Sequence, residues 1–357
     1  MTSDLATSAA RVDEGGAGRP GRAGRAAAWR AALRWESGLV LLLVAVILFG
    51  AAESSTFLTG TTFFYLGTDI GYIAIMALPM TLIVMTGEID LSVASMLGLS
   101  GAMVGFLWHH GWSIWPALIV ALLVGAVGGA LNGVLVAKAG LPSIAVTIGT
   151  LTLFRGMAEV LLGSLTVPAV GDPQFPGSLT QIGAVPVGGT QLSYSLLFFI
   201  VLAVVFGVVL HATPLGRSLH AIGLQPEAAR FVGVRVNRIK IVLYIVSGVL
   251  CAFAGILLTL QNASVSYNAG NGLELTVVAI VLFGGVSIFG GRGTVPGVVL
   301  AVAIVGALQM ALTQMNVDPN VQNIVTGVLL LLSVVVPNGG EIVRRARTRL
   351  RRRSAGG

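Results

Sequence analysis

Charged residues are scarce in this chain, and their scarcity excludes most soluble folds. Of its 357 residues only 10% are charged, while 55% are hydrophobic. A soluble domain carries about 25% charged residues. One protein core cannot bury this much apolar surface, so lipid has to solvate part of it. The composition therefore predicts a polytopic membrane protein.

The chain also has too few cysteines for a disulfide framework, and it lacks metal-ligand motifs and nucleotide-binding motifs. The single cysteine, Cys251, excludes a disulfide framework. The four histidines do not have metal-ligand spacing, no nucleophile–base pair indicates an enzyme, and no GxxxxGK[ST] sequence is present. We therefore expect no cofactor and no metal in this chain. The net charge of +7 does not indicate nucleic-acid binding, because the basic residues flank apolar spans and lack interleaved aromatic residues.

Long apolar stretches are what the chain has instead. A membrane-spanning helix needs roughly 20 mostly apolar residues. We predict an all-α fold with about ten spans, near residues 37–53, 68–86, 91–108, 113–137, 143–163, 192–211, 239–260, 274–290, 294–314 and 320–337. The spans at 91–108 and 274–290 are interrupted by acidic or glycine residues, which is typical of broken or re-entrant helices.

The distribution of Lys and Arg predicts the orientation of these spans. With both termini in the cytoplasm, 20 of the 21 basic residues lie on the cytoplasmic side and the outer loops contain none. This agrees with the positive-inside rule. Residues 1–36 then form a disordered basic arm, 37–337 the membrane domain with a cytoplasmic segment at 212–238, and 338–357 a basic cytoplasmic tail. Residues 67–163 and 239–337 each hold four spans, and an internal repeat is a hypothesis that this symmetry raises.

The segment at residues 86–93 (TGEIDLSV) is the most distinctive part of the chain. Two carboxylates, Glu88 and Asp90, precede Ser92 at the mouth of a predicted span. Asp90 is expected to cap the helix that follows, with both carboxylates at the membrane interface. The alternative is that Gly87, Glu88, Asp90 and Ser92 act in gating or in contact with a partner.

The basic loop at 212–238 contains a second candidate segment. Pro226 suits the first turn of a short amphipathic helix over 227–231, and Gly223 and Gly233 are expected to end the flanking turns. Such a helix either docks a cytosolic partner or lies on the anionic lipid leaflet. The residues expected to make the contact are Gly223, Pro226, Glu227, Ala228, Ala229 and Arg230.

Polar residues inside the spans are candidates for a translocation path. Asn132, Gln261, Asn262 and Gln309 either line such a path or form hydrogen bonds between helices. Arg155 and Glu159 are four residues apart and are predicted to pair on one helix face. The alternative for this pair is a substrate contact.

Three segments together resemble a known family. Residues 87–93 (GEIDLSV) are similar to the G-x-I-D-L-S-V signature of permeases of monosaccharide ABC importers of the ribose, rhamnose and autoinducer type. Residues 221–234 resemble the segment of that family that meets the ATPase. Residues 282–293 (LFGGVSIFGGRG) resemble its late glycine motif, carried here by Gly284, Gly285, Gly290 and Gly291. The sequence departs from the pattern at Glu88 and Ala94, where glycine is frequent.

The resemblance implies the rest of the expected function. It implies a multi-pass permease in the plasma (inner) membrane of a prokaryote, importing a monosaccharide by alternating access. Its partners would be a cytosolic ABC ATPase that binds ATP and Mg²⁺, an extracytoplasmic sugar-binding protein, a second permease subunit in a homo- or heterodimer, and membrane lipid. A branched-chain amino-acid permease, an ion-coupled secondary transporter and a membrane scaffold remain as alternatives.

Overall fold

The computed structural model describes residues 22–169, 172–322, 324–325, 327–328 and 331. Within these residues the only β-type pairing is an isolated antiparallel bridge between Val167 and Val265. The named α-helices are α1 Arg22–Glu53, α2 Gly60–Met85, α3 Val93–His109, α4 Ile114–Ala137, α5 Ser143–Leu162, α6 Gly177–Thr180, α7 Tyr194–Ala212, α8 Pro214–Leu224, α9 Pro226–Phe231, α10 Val236–Gln261, α11 Leu273–Phe283 and α12 Val295–Gln314.

Seven of these helices are long and apolar enough to cross a membrane. They are the 35–53 part of α1 together with α2, α4, α5, α7, α10 and α12. The predicted all-α membrane fold is thereby confirmed. The span predicted at 320–337 lies largely outside the described residues, so the total of ten spans stays a prediction.

The two interrupted spans correspond to short helices. α3 has 17 residues and α11 only 11. At 1.5 Å per residue, α11 is about 16 Å long, roughly half of the hydrocarbon thickness. The predicted span at 274–290 is therefore not one continuous helix, because α11 ends at Phe283 and the chain stays non-helical until α12 begins at Val295.

The amino-terminal arm differs from the prediction. Residues 1–36 were expected to be disordered, but helix α1 already begins at Arg22. The Ala-rich stretch at 26–32 explains the difference, because alanine has the highest helix propensity of all residues. The remainder of the arm, like the tail at 338–357, lies outside the described residues.

Helix α2 occupies the centre of the molecule, and α10 packs against it, α3 and α4. Most of α2 is buried, including the whole stretch 73–85. The α4–α10 contact depends on glycines, because a Cβ on Gly125 would overlap the Gly248 carbonyl oxygen, and one on Gly129 would overlap the Tyr244 carbonyl oxygen. The small-xxx-small spacing at 125–129 thus brings two helix backbones together.

The outer faces of the bundle are apolar and unpacked. Large hydrophobic side chains with high exposure lie along α1, α4, α5 and α7, among them Leu41 (72%), Val127 (70%), Val160 (86%) and Val204 (62%). In water such a surface would drive association. In a bilayer it is the surface that lipid tails solvate.

The loops gather at the two ends of the bundle as the alternating topology requires. At one end, the 163–193 loop meets the 262–272 loop through the Val167–Val265 bridge, and the Trp108 indole donates a 2.7 Å hydrogen bond to the Pro173 carbonyl oxygen. At the other end, the Gly291 amide donates a 2.8 Å hydrogen bond to the Met85 carbonyl oxygen. The second end carries the basic loop 212–238, so the positive-inside rule predicts that this end faces the cytoplasm, and we name its features accordingly.

Candidate functional site

The signature segment begins where α2 stops in a left-handed turn. The Gly87 amide donates to the Val84 carbonyl (2.9 Å) and the Glu88 amide donates to the Ile83 carbonyl (3.3 Å). This pair of hydrogen bonds is the Schellman motif, which requires a positive φ at the residue after the cap. Gly87 has φ +81°, a conformation that costs glycine little. The glycine therefore redirects the chain sharply into α3.

The late glycine segment begins with the same turn. At the end of α11, the Gly285 amide donates to Leu282 (3.0 Å), the Val286 amide donates to Val281 (3.3 Å), and Gly285 has φ +87°. The two predicted glycine breaks thus have the same hydrogen-bond pattern, while the internal repeat stays a prediction. Next to this turn, a Cβ on Gly284 would lie 2.7 Å from the Cα of Val298. Gly284 therefore allows α12 to pass close to the end of α11.

The three motif segments meet at one place, which we call the cytoplasmic junction and define as residues 85–87, 223–224 and 290–291. A Cβ on Gly223 would overlap both the Met85 carbonyl oxygen and the Gly291 backbone nitrogen. A Cβ on Gly290 would lie 2.9 Å from the Gly223 oxygen and 3.0 Å from the Gly87 nitrogen. The junction is a contact of backbones, so its geometry depends on the absence of side chains at these glycines.

Gly223 has a different role from the one predicted. It was expected to end a turn, but α8 continues through it to Leu224. The tight contact with residues 85 and 291 explains its presence inside a helix, where glycine otherwise lowers stability by about 1 kcal/mol relative to alanine. Gly233 does end a turn, with φ +87° after α9.

Asp90 is buried inside the protein, and it does not cap α3. Its side chain is 3% exposed, and Oδ1 accepts hydrogen bonds from the Ser92 amide (3.0 Å) and the Ser92 hydroxyl (2.6 Å). Oδ2 accepts from the Ser247 hydroxyl of α10 (3.2 Å). The N-cap residue of α3 is Ser92, whose side chain makes no capping bond. The predicted cap is wrong because the carboxylate accepts from Ser92, which is itself the N-cap residue, and from Ser247 of α10, and not from an amide in the first turn of α3.

Asn132 joins this buried cluster from α4. Its side-chain nitrogen donates a 2.8 Å hydrogen bond to the Ser92 hydroxyl, and it is 1% exposed. Its Oδ1 atom and the Tyr244 hydroxyl are buried without a hydrogen-bond partner. Asp90, Ser92, Asn132 and Ser247 thus connect α3, α4 and α10 by buried polar contacts. Sequence analysis missed Ser247, which has no motif around it.

Glu88 pairs with a lysine that sequence analysis also missed. The Lys240 ammonium donates to Glu88 Oε1, and the two side chains are only 12% and 18% exposed. Lys240 lies in the first turns of α10, so the pair ties the signature loop to that helix. The Glu88 that departs from the family pattern is therefore compensated by a nearby cation.

The helix predicted after Pro226 is confirmed as α9, Pro226–Phe231. Pro226, Glu227, Ala228 and Arg230 are exposed there, and Arg230 donates a 2.9 Å hydrogen bond to the Asn237 side chain. Ala229, in contrast, is 2% exposed and packs against Ile222 and Val236. Ala229 thus holds α9 to the rest of the loop instead of contacting a partner.

An exposed apolar patch surrounds α9, and sequence analysis did not identify it. It consists of Leu224 (70% exposed), Phe231 (92%), Val232 (78%) and Phe289 (78%). We call these residues the cytoplasmic patch. Phe289 belongs to the late glycine segment and Leu224 packs on Gly291, so these two residues of the patch lie next to the cytoplasmic junction. Exposed aromatic and aliphatic residues at one place are typical of a docking surface.

The four candidate path residues do not come together. Asn132 lies in the Asp90 cluster near the cytoplasmic end. Gln261 lies at the other end, where it donates a 3.2 Å hydrogen bond to the Thr68 carbonyl and accepts one (3.3 Å) from the Ser195 hydroxyl. Asn262 is the exposed residue that ends α10. Gln309 lines a cleft between α2 and α12.

The predicted pair of Arg155 and Glu159 is wrong. The Nη1 atom of Arg155 donates hydrogen bonds to the carbonyl oxygens of Tyr267 (3.1 Å) and Ala269 (2.8 Å), while Glu159 is exposed. The 262–272 loop reaches back over α5 and offers fixed carbonyl acceptors, which a spacing rule along one helix cannot detect. Among the described residues, no three His, Cys, Asp or Glu side chains come together as a metal site.

Comparison with known proteins places the chain in a family. The family model described as "Branched-chain amino acid transport system / permease component" matches residues 62–334. The chain is 33% identical to the autoinducer 2 import system permease protein LsrD of Klebsiella pneumoniae over 304 residues, 85% of this chain and 91% of the relative. It is 31% identical to the fructose import permease protein FrcC of Rhizobium meliloti over 300 residues, 84% of this chain and 83% of the relative. No solved structure matches it.

The match covers every element that forms the cytoplasmic junction, the Asp90 cluster and the cytoplasmic patch. With apolar helices that can cross a bilayer and a family model that extends over most of its length, this chain is an integral membrane protein and belongs to the family of transport-system permease components.

Proposed function

We propose that this chain is the membrane subunit of an ATP-driven, binding-protein-dependent importer that moves a monosaccharide or a related small sugar into the cytoplasm. The observation that carries the proposal is the cytoplasmic junction. There the signature loop, α8 of the basic loop and the late glycine segment touch through their backbones, beside an exposed apolar patch. A displacement of α8 by a partner therefore acts directly on the end of α2 and on the late glycine segment that follows α11.

The named substrates of the relatives favour a sugar over an amino acid. The family model takes its description from branched-chain amino-acid transport, but the two relatives with 31–33% identity over more than four fifths of this chain are permeases for autoinducer 2 and fructose. The IDLS sequence at 89–92 supports the same choice. We assign no individual sugar.

The cytoplasmic patch fits an ATPase subunit as its partner. The patch is apolar at Leu224, Phe231 and Val232, and Glu227 and Arg230 beside it can give the contact its polar rim. Interfaces commonly combine buried aromatic anchors with a charged rim. In this arrangement the ATPase subunit binds ATP and Mg²⁺. The permease chain converts the movement of the ATPase into opening and closing of the translocation path.

The opposite end fits an extracytoplasmic binding protein. Its loops are ordered by contacts to one another, including the Val167–Val265 bridge and the His109–Asp172 pair, and so offer a fixed surface. A second permease subunit, identical or related, would complete the path beside this chain. An ion-coupled transporter would instead work without any ATPase.

Phe231 provides the test of the proposal. The importer is expressed with its ATPase and binding protein, the tagged chain is purified, and ATPase recovery and sugar uptake into proteoliposomes are measured for fructose, ribose and rhamnose. Phe231→Ser should reduce both strongly, because the most exposed residue of the patch is lost. Phe63→Ser, at an exposed phenylalanine (48%) near the other end of α2, is the matched control and should retain ATPase recovery. Uptake that persists without any ATPase would refute the proposal in favour of an ion-coupled transporter.

A further inference from the structure

A cleft of about 140 Å³ lies between α2 and α12, in the half of the molecule away from the cytoplasmic junction. Asp69, Gln309, Thr313 and Gln322 supply its polar lining. The apolar part of its wall consists of Leu66, Ile70, Gly306 and Met310. A cleft of this volume has room for a small molecule, since a single water molecule needs only about 10–15 Å³.

Asp69 places a carboxylate well inside the membrane-spanning part of α2. It lies nine residues after Gly60, so it is about 14 Å from the start of the helix at the outer end. Among the described residues its carboxylate makes no hydrogen bond and no ion pair, and the side chain is open to the cleft. An ionisable residue at such a depth is costly, and it usually faces a water-filled cavity on a substrate pathway.

Gln309 and Thr313 line the cleft from the other helix. They are four residues apart on α12 and therefore lie on the same face of the helix, about 8 and 2 Å before its end at Gln314. Gln322 closes this part of the lining, and its amide donates hydrogen bonds to Thr313 Oγ1 (3.3 Å) and to the Val317 carbonyl oxygen (3.1 Å). The cleft thus combines one strong acceptor, the Gln309 amide and the Thr313 hydroxyl group with an apolar wall.

This combination selects the chemical class of the ligand. Among the described residues, the lining contains no Lys or Arg, so this part of it does not favour an anion. A single carboxylate is too little for a divalent cation such as Ca²⁺, which takes 6–8 oxygen ligands. A neutral polyhydroxylated molecule matches best, because its hydroxyl groups donate to the carboxylate and accept from amides while its C–H faces contact the apolar wall.

We propose that this cleft is a transient binding site for the imported monosaccharide on the outer half of its path, with Asp69 as the main hydrogen-bond acceptor and Gln309 and Thr313 as specificity-determining contacts. The inference rests on the proposed function and assigns residues to it. The ligand would enter the cleft after release from the binding protein and before the cytoplasmic end opens.

The test uses the complete importer in proteoliposomes, with the substrate that the wild type takes up fastest among fructose, ribose, rhamnose and autoinducer 2. Uptake and ATP hydrolysis are measured together at saturating loaded binding protein. Asp69→Asn keeps the size of the side chain but loses the charge-assisted hydrogen bond, which is expected to lower sugar binding about ten- to a hundred-fold. Sugar imported per ATP should fall about tenfold or more, while stimulation of ATP hydrolysis by the binding protein persists.

Gln309→Ala and Thr313→Val test the site independently of the charge and should also lower the sugar imported per ATP. Glu53→Gln, which removes an exposed carboxylate at the end of α1 outside the cleft, is the matched control and should behave as wild type. If the Asp69→Asn variant does not assemble into the importer, the sugar imported per ATP by the two α12 variants decides whether the assignment holds. A defect in Asp69→Asn alone, or unchanged sugar per ATP in all three variants, overturns the assignment. A wild-type importer that takes up no sugar overturns the proposed function itself.

Discussion

Gly223 is the residue at which one methyl group should disturb both stability and coupling. In Gly223→Ala the new Cβ would overlap the Met85 carbonyl oxygen and the Gly291 backbone nitrogen. These two atoms form a 2.8 Å hydrogen bond with each other. Because both belong to the backbone, neither can rotate out of the way, and α8 has to move away from α2.

The expected cost can be derived from these contacts. Inserting a methyl group into a close-packed site costs about 1–3 kcal/mol. Losing the hydrogen bond between residues 291 and 85 adds about 0.5–1.5 kcal/mol. A total of about 2–4 kcal/mol corresponds to a decrease of roughly 5 °C in the melting temperature of the purified protein. Alanine normally stabilises a helix relative to glycine, so a decrease has the opposite sign to the intrinsic propensity.

Thermal unfolding and transport provide the assay. Gly207→Ala in α7 is the matched control, since a Cβ there meets nothing within 4 Å. We expect Gly223→Ala to melt at a lower temperature than Gly207→Ala and to import less sugar per ATP in the reconstituted importer. If Gly223→Ala is as stable as the control and equally coupled, the backbone contact does not hold the junction and the reasoning fails.

Three further predictions concern the polar contacts. Asp90→Ala should lower the free energy of unfolding by about 2–4 kcal/mol, because the buried hydrogen-bond donors lose their acceptor. Asp90→Asn should lower it less, and chemical denaturation in detergent measures both variants. Removing Glu88 and Lys240 singly and together should give a coupling energy of about 1 kcal/mol in a double-mutant cycle. The hydrogen bond from His109, followed by that from the Ala169 amide, holds the pKa of Asp172 below its ordinary value of about 3.9. The contribution of Asp172 to folding stability is therefore present above that value and is lost as pH falls through the lowered pKa. His109→Ala should move this loss to higher pH in thermal unfolding between pH 2 and 6.

Each of these predictions has an outcome that contradicts it. Alanine and asparagine variants at position 90 that are both as stable as the wild type would show that the hydrogen bonds of the carboxylate do not stabilise the protein. Strictly additive effects at positions 88 and 240 would mean that the ion pair contributes nothing. An acid transition that stays at the same pH without the imidazole at position 109 would exclude the hydrogen bond as the cause of the lowered pKa at position 172.

The local turns were largely predictable from sequence, because they depend on residues close together in the chain. Pro226 predicts the start of α9 since its fixed φ and missing N–H suit a first helical turn. The glycine breaks after α2 and α11 were expected as interruptions of the helices. In the structure each break is a turn with the same hydrogen-bond pattern, at Gly87 and at Gly285. The predicted pair of Arg155 with Glu159 failed because carbonyl acceptors 112 and 114 residues away offered Arg155 better contacts. The predicted cap at Asp90 failed because its carboxylate accepts from Ser92, the N-cap residue, and from Ser247, which is 157 residues away.

By itself the sequence determined the environment, the helical class and the likeness to transport permeases, because hydropathy, the placement of basic residues and short motifs are properties of the linear chain. Only the tertiary structure decided that Gly87, Gly223 and Gly290 meet, and that Asp69 opens into a cleft with Gln309. Contacts of this kind depend on how helices far apart in the chain approach each other. That approach is set by packing over the whole bundle, to which every helix contributes and which no local pattern encodes.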